Sequence, residues 1–502
     1  MPQYKTSLLE IKLGYRRIKK LAENSLNRQD YPSFVKHLNK CVTIASQINW
    51  RYCDDDLEDM LFRYAKSTIY EQIDNNEYIP NPDHWVFYDD YCSSYVLALQ
   101  WMGALTKLNK QILYITSEYS FDKRRSISIL PEIEQMPNVS ISVIPEGNHI
   151  KRANYLYKSL VDFRPSKVFL HKAMFSLINA PLCIFPKAIQ TYNINLGDQF
   201  FWLGGKWINY NIEFRPFGAS LSLQKRRLRR EQLLMIPFYP ANEHRPFQGF
   251  PSICKDRLVI FSGGDYYKTL DSKNTFWNLI SSILKSHPNV TFIFATKRGY
   301  NCEKHIGQFI RRHKLENQFC HISFRQDIFQ VFAHCDIYMG TSPVSGSLMS
   351  QLAAINGKPI LQYYPRGTQD DETEQALCIN KTFQISFDKK EDFLIEADRL
   401  IKDEEYRCKQ GRRIAESMIS ESQFNDIVKQ AIATNKSPLS YNTYRINNHR
   451  IVKRWSYQCH YLDSNIGNYI YSSLGSNKCA LFIPSLFIKK NGCRLISLCR
   501  KR

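Results

Sequence analysis

The chain has 502 residues, 43% hydrophobic and 23% charged, with a formal net charge of +21. Length and balance predict a globular chain of about three domains. With no run of about 20 apolar residues no membrane span is expected, and residues 1–17 lack the apolar core of a signal peptide.

Residues 1–78 read as a helical module. Leu8, Leu9, Ile11, Leu13, Ile18 and Leu21 recur at helical spacing, as do Phe34, Leu38, Val42, Ile44 and Ile48, then Leu57, Met60, Leu61 and Tyr64. Asp54-Asp55-Asp56 precedes the third of these helices. An Asp-x-Asp metal motif needs an apolar strand before it, so here the acids read as helix caps. Residues 79–240 alternate strand and helix, the pattern of a parallel sheet, with strands over 85–88, 112–116, 139–144, 167–171, 189–194 and 208–214. Residues 236–251 are rich in proline and aromatics and read as a linker. A second alternating domain spans 255–435, with strands over 257–261, 290–296, 336–340, 360–363 and 383–387. The tail, 436–502, is irregular in composition and reads as disordered or as a membrane-associated anchor.

The charge is concentrated in two places. One is Lys225-Arg226-Arg227-Leu228-Arg229-Arg230. The other is the stretch from Ala431 onward, where twelve Lys and Arg face a single acid, Asp463, giving +11. Such charge suits an anionic partner: a membrane surface, a phosphorylated substrate or, less readily for want of a regular motif, nucleic acid. A solvated basic face explains it equally. The 14 cysteines are scattered, with no Cys-x-x-Cys pair and no Cys/His grouping at zinc spacing. Reduced thiols in the cytoplasm fit that usage, with the basic tail at the inner membrane face.

The densest signal runs from Phe324 to Tyr364. The strand 336–340 enters Thr341-Ser342-Pro343-Val344-Ser345-Gly346-Ser347, a helix follows over 348–355, and Gly357-Lys358-Pro359 leads into the strand 360–363. A helix start leaves backbone N–H groups unpaired and carries positive partial charge, so small residues in front of it let a phosphate approach. Ser342, Ser345, Gly346 and Ser347 are therefore candidate phosphate contacts, and an ordinary N-cap is the bland alternative.

This order of features resembles the nucleotide-sugar half of the GT-B glycosyltransferases. Phe261-Ser262-Gly263-Gly264-Asp265-Tyr266-Tyr267-Lys268 is similar to the start of the donor domain in the O-GlcNAc-transferase-like branch. In that branch a lysine after the first strand contacts the donor diphosphate. Val86-Phe87-Tyr88-Asp89 and Asn195-Leu196-Gly197-Asp198-Gln199-Phe200-Phe201-Trp202-Leu203-Gly204 resemble bacterial capsule-type polysaccharide transferases. The resemblance implies an α/β fold of GT-B type, two facing Rossmann-like domains with an N-terminal helical module and a basic C-terminal tail. It implies a donor site of Ser262, Gly263 and Lys268, with Lys297 and Arg298 as further cations. Arg325 and Asp327 stand where related enzymes hold the nucleobase, and Asp370 and Asp371 where an acid binds donor hydroxyls. Surface charge or helix capping accounts for each of these equally. Ser350-Gln351-Leu352 departs from the pattern, because many retaining members carry a glutamate there.

An inverting transfer needs a carboxylate or imidazole to take the acceptor proton. Asp198, Asp89 and His171, each after a strand of the first domain, are the candidates in that order. The implied activity is metal-independent transfer of a sugar from a UDP- or GDP-linked donor to a lipid-linked bacterial surface glycan. The nucleotide sugar is a co-substrate, and no cofactor is implied. A protein acceptor is the alternative within the class. A non-catalytic GT-B scaffold used for binding or assembly is the alternative outside it.

Overall fold

The computed structural model describes residues 6–499 except 49, 75–76, 91–94, 118–128, 240–244, 298, 366, 368–371 and 379–382. They divide into two compact units. The first comprises residues 1–236, 424–446 and 462–502, and the second residues 237–423 and 447–461.

The first unit is built on a seven-stranded sheet: β1 (Asn81–Asp89), β2 (Gln111–Ser117), β3 (Val139–Ile144), β4 (Pro165–His171), β5 (Gln190–Ile194), β6 (Tyr210–Glu213) and β7 (Leu233–Met235). The spatial order is β3-β2-β1-β4-β5-β6-β7, and every neighbouring pair is parallel. The second unit carries β8 (Leu258–Gly263), β9 (Val290–Ala295), β10 (Phe319–Ile322), β11 (Ile337–Met339), β12 (Ile360–Tyr363) and β13 (Ser386–Phe387). Their order is β10-β9-β8-β11-β12-β13, again all parallel.

Parallel strands must be covered on both faces, which is why they read as continuous apolar runs. β9 shows it: Phe292 and Phe294 join one core cluster, with Phe276, Trp277 and Phe309, while Ile293 and Ala295 join the other, with Phe332 and Leu352. In each sheet the chain winds outward from the first strand in one direction, then reverses. The reversal falls between β1 and β4 in one unit and between β8 and β11 in the other. At such a switch point the loops above the strand ends part and leave a crevice.

The three expected N-terminal helices are present as Leu8–Asn27, Tyr31–Ile48 and Asp55–Thr68. Asp54 is the N-cap of the third, accepting from the Leu57 N–H at 3.4 Å and from Tyr15 Oη at 2.6 Å. Asp56 pairs with Lys19, and Asp55 with Arg227. The acidic triplet is thus cap and ion pair.

Against the disordered reading, the tail holds the helices Asn448–Leu474, Ser476–Phe482 and Pro484–Cys499. They dock on the first helix of the chain. Lys489 Nζ donates to the buried Glu10 at 2.9 Å, Arg17 lies 3.6 Å over the Phe482 ring, and a Cβ on Gly14 would fall 2.6 Å from Ile470. Residues 424–446 also belong to the first unit. Phe424 packs edge-on against Trp101, and Ser437 Oγ accepts from the Met235 N–H at the end of β7. Among the described residues no helix is long and apolar enough to cross a membrane.

Candidate functional site

The site in the second unit forms where β8 and β11 part. β8 ends in Ser262-Gly263, and Gly264, with φ +147°, turns the chain through a conformation that favours glycine. A short 3-10 turn, Tyr266–Thr269, then carries Lys268. β11 ends at Met339 and runs through residues 340–346 into the helix Ser347–Ile355, with Gly346 at its N-cap. Two contacts join these segments. The Val344 N–H donates to the Lys268 carbonyl at 3.2 Å, and a Cβ on Gly346 would lie 3.7 Å from Lys268 Nζ. Gly263 backs onto the same helix, since a Cβ there would meet Met349 Cε at 3.2 Å. The chain thereby sets a lysine ammonium beside a helix N-terminus.

That locus is polar and short of partners. No side chain caps the helix Ser347–Ile355. The hydroxyls of Ser262, Thr296 and Ser342, at the carboxyl ends of β8, β9 and β11, are buried with no hydrogen-bond partner among the described residues. Burial draws the Lys268 pKa below its ordinary value, with Asp265 opposing the shift. A cation that has lost solvent, unpaired N–H groups and unsatisfied hydroxyls together favour an anion. Ser345 is positioned from elsewhere. Tyr364 Oη donates to Ser345 Oγ at 2.6 Å and lies 2.5 Å from Thr373 Oγ1.

Arg325 and Asp327 form a two-bonded ion pair at 2.7 and 2.5 Å. Arg325 also donates to the Gly249 carbonyl and Asp327 accepts from the Gln248 N–H. Burial raises the Asp327 pKa, but the Arg325 and Gln248 hydrogen bonds outweigh it and hold the carboxyl below its usual range. The pair fastens the 245–250 segment to the start of the helix Ile328–His334. Lys297 is exposed. Arg298, Asp370 and Asp371 lie outside the described residues. Gln351, at the position where the resemblance leads one to look for glutamate, is buried and donates to the Phe238 and Ala376 carbonyls. The nearby carboxylate is Glu374, which accepts from the Ile385 and Ser386 N–H groups.

In the first unit the switch point brings together Asp89, at the end of β1, and His171, at the end of β4. His171 Nδ1 is 2.8 Å from Asp89 Oδ1, and Tyr114 Oη donates to Asp89 Oδ2 at 2.6 Å. Asp198, the first-ranked base in the sequence, is elsewhere. Both its oxygens are held by Arg215, at 2.6 and 2.8 Å, inside the protein. That geometry makes it an anchor of the 195–204 loop, with both carboxylate oxygens paired to the Arg215 guanidinium. Gly218 permits the arrangement: a Cβ there would fall 2.2 Å from Glu213 Oε2 and 2.8 Å from Asp198 Cβ.

Lys172, Asp90 and Glu58 were missed in the sequence, because their interaction joins two strand ends to an N-terminal helix distant along the chain. Asp90 accepts from Ala173 N–H, Tyr88 Oη and Ser176 Oγ, and burial raises its pKa. Burial also lowers Lys172 to about 8, opposed by Asp90 and Glu58. Among the described residues no cluster of His, Cys, Asp and Glu is arranged to hold a metal ion.

The paired sheets with these crevices define the fold class, a GT-B glycosyltransferase-like fold of two Rossmann-like domains. The chain is similar to a Thermobaculum terrenum O-GlcNAc transferase mutant, at 11% identity and TM-score 0.54, over 90% of this chain and 85% of that one. It is similar to Anabaena HepE in complex with UDP and glucose, at 13% and 0.53, over 70% of this chain and 99% of that one. A Listeria monocytogenes structure described as a UDP-N-acetylglucosamine 2-epimerase follows at 11% and 0.50, over 72% and 100%. No protein-family model and no curated protein matches the chain.

Proposed function

We propose that the chain is a glycosyltransferase that takes its sugar from a nucleoside-diphosphate donor bound in the second unit. The observation that carries this reading is the Lys268 ammonium beside the Gly346 N-cap of the helix Ser347–Ile355. As the bond from the sugar C1 to the diphosphate breaks, negative charge grows on the leaving oxygen. A fixed cation and unpaired N–H groups stabilise that charge without a metal. HepE was solved with UDP and glucose, which supports UDP as the nucleotide. On the acceptor side, Asp89 and His171 form the carboxylate–imidazole pair that proton abstraction uses, with Asp89 orienting the ring. The basic tail supports an acceptor on a lipid carrier at an anionic membrane face.

One observation favours the non-catalytic scaffold as a second reading: Asp89, His171 and Asp198 are 2%, 0% and 1% exposed. A panel of UDP- and GDP-sugars separates the two, with binding measured by titration calorimetry and turnover by nucleotide release. Lys268→Ala is expected to weaken donor binding by about 1–3 kcal/mol, the value of one charge-assisted contact. Unchanged affinity in Lys268→Ala refutes the donor site. Tight binding with no turnover in any acceptor mixture favours the scaffold.

A further inference from the structure

Sugar transfer makes no use of the cysteines, yet two of them meet in the second unit. Cys254 ends the 3-10 turn Ser252–Cys254, which leads into β8. Cys320 is on β10. The sheet register brings them together. Cys320 is paired with Ile293 on β9, and both pack in the apolar cluster that holds Cys254. Residues two apart on a strand share a face, so Thr291 lies on the same side of β9 as Ile293. Its hydroxyl donates to the Ile253 carbonyl at 3.2 Å, which fixes the turn against that face. The Cys254 S–H then donates to Cys320 Sγ.

The two thiols differ in access and in acidity. Cys254 is 7% exposed, among Val259, Phe261 and Phe332. Cys320 is only partly buried. The hydrogen bond from Cys254 draws the Cys320 pKa below the ordinary thiol value, against the effect of burial. The same hydrogen bond, together with burial, pushes Cys254 up. The thiolate is the reactive form of cysteine, and an accessible thiolate beside a second thiol is oxidised and then resolved by its neighbour.

We infer that Cys320 and Cys254 are a modification site for a peroxide, in which Cys320 is oxidised first and Cys254 closes a disulfide on it. The Cys320 thiolate attacks one peroxide oxygen. The O–O bond breaks, a sulfenic acid forms, and the departing hydroxide takes up the proton that Cys320 released and leaves as water. Cys254 then gives up its proton and attacks the sulfenic sulfur. The S–O bond breaks, the S–S bond forms, and a second water leaves. The two thiols lose two hydrogens in all, and hydrogen peroxide gains them to become two waters. The cross-link ties the turn before β8 to β10, towards the amino ends of the strands. Lys268 and Gly346 follow the carboxyl ends of β8 and β11, so the inference stands apart from the donor site.

The test uses the full chain, reduced, freed of reductant and exposed to hydrogen peroxide near neutral pH. Remaining thiols are alkylated and the peptides read by mass spectrometry. A linked Cys254–Cys320 peptide is expected, lighter by two hydrogens than its separate halves. It is expected to form before the exposed Cys408 is oxidised and to be lost on treatment with dithiothreitol. In Cys254→Ser, Cys320 is expected to stop at a sulfenic acid captured by dimedone, and to pass to sulfinic acid with excess peroxide. In Cys320→Ser, Cys254 is expected to keep its thiol. The mapping in the wild type needs no substitution, so it decides the matter should either variant fold poorly. Oxidation of Cys408 with Cys254 and Cys320 unlinked overturns the inference. So does linkage of either one to Cys335 or Cys378 instead. Loss of the Cys254 thiol at the wild-type rate in Cys320→Ser overturns the order of attack.

Discussion

Glu58 and Glu213 are carboxylates that folding takes out of water. Glu58 accepts from the Gly204 and Gly205 N–H groups, and Glu213 from Asn195, Asn211 and Ser222. Burial nevertheless raises each to about 7. The unfolded chain releases these protons near the ordinary carboxylate pKa, the folded one only near neutrality. Between those values the folded state holds more protons, so stability falls as pH rises through that window. Lys172, held at about 8, works the other way at higher pH: the unfolded state binds the proton more tightly, so stability recovers as pH rises above about 8. Denaturation between pH 5 and 8 is expected to show the decline, and Glu58→Gln to flatten it by up to about 1.4 kcal/mol per pKa unit removed. An unchanged profile in Glu58→Gln contradicts the assignment. Asp198 calls for a different variant. Asp198→Asn leaves Arg215 buried without its anion, so a loss of about 3–5 kcal/mol of stability is expected in denaturant titration. A variant that is fully stable yet inactive would return Asp198 to the role of base.

At the scale of elements, close approaches replace side chains at a few glycines. Gly411, on the helix Glu404–Glu416, meets the turn before β12: a Cβ there would lie 1.9 Å from the Gly357 carbonyl oxygen. The obstacle is backbone and cannot rotate away. Gly411→Ala is expected to cost about 1–3 kcal/mol in thermal or denaturant unfolding, whereas full stability would mean that the helix and turn slide freely. The same scale decides what was legible in the sequence. Strands of six residues stand out between turns, β9 by its apolar content and β3 by its alternation of Val or Ile with Ser. β7, Leu233–Met235, does not, because three residues carry no pattern. The Lys268–Gly346 site was legible because strand, small-residue loop and helix follow one another along the chain. Asp89 and His171 were visible singly at strand ends. Their pairing was not, since it depends on β1 lying beside β4, whose register sets Asp89 opposite His171. The tail helices were hidden for a related reason. Their Asn, Ser and Tyr content gives a weak helical signal, and packing of Ile470 against Gly14 and of Lys489 against Glu10 supplies the stability that propensity does not.

Over the whole molecule the net charge of +21 is partly spent inside the fold. Within the run 225–230, Arg226 is buried and donates to the Asp198 and Phe200 carbonyls and to Ser222, while Arg227 pairs with Asp55 and Arg229 with Glu231. That run therefore offers less free charge than its sequence suggests. In the tail, Lys489 is committed to Glu10. Lys436, Arg445 and Lys478, in contrast, are exposed in the first unit. Exposed cations are what an anionic bilayer attracts, by about 1 kcal/mol per residue at the surface. Full-length protein is expected to sediment with phosphatidylserine-containing vesicles at low salt and to be released as ionic strength rises, since charges more than about 10 Å apart are screened at 0.1 M. Truncating the tail is the wrong test, because it strips Glu10 of Lys489 and Ser485 and confounds binding with folding. The combined change Lys436→Gln, Arg445→Gln and Lys478→Gln leaves those contacts intact. It is expected to cut vesicle affinity by one to two orders of magnitude, about 1.4 kcal/mol for each factor of ten, with UDP affinity unchanged. Sedimentation undiminished in the triple variant would mean that the tail's exposed charge does not bring the protein to a membrane.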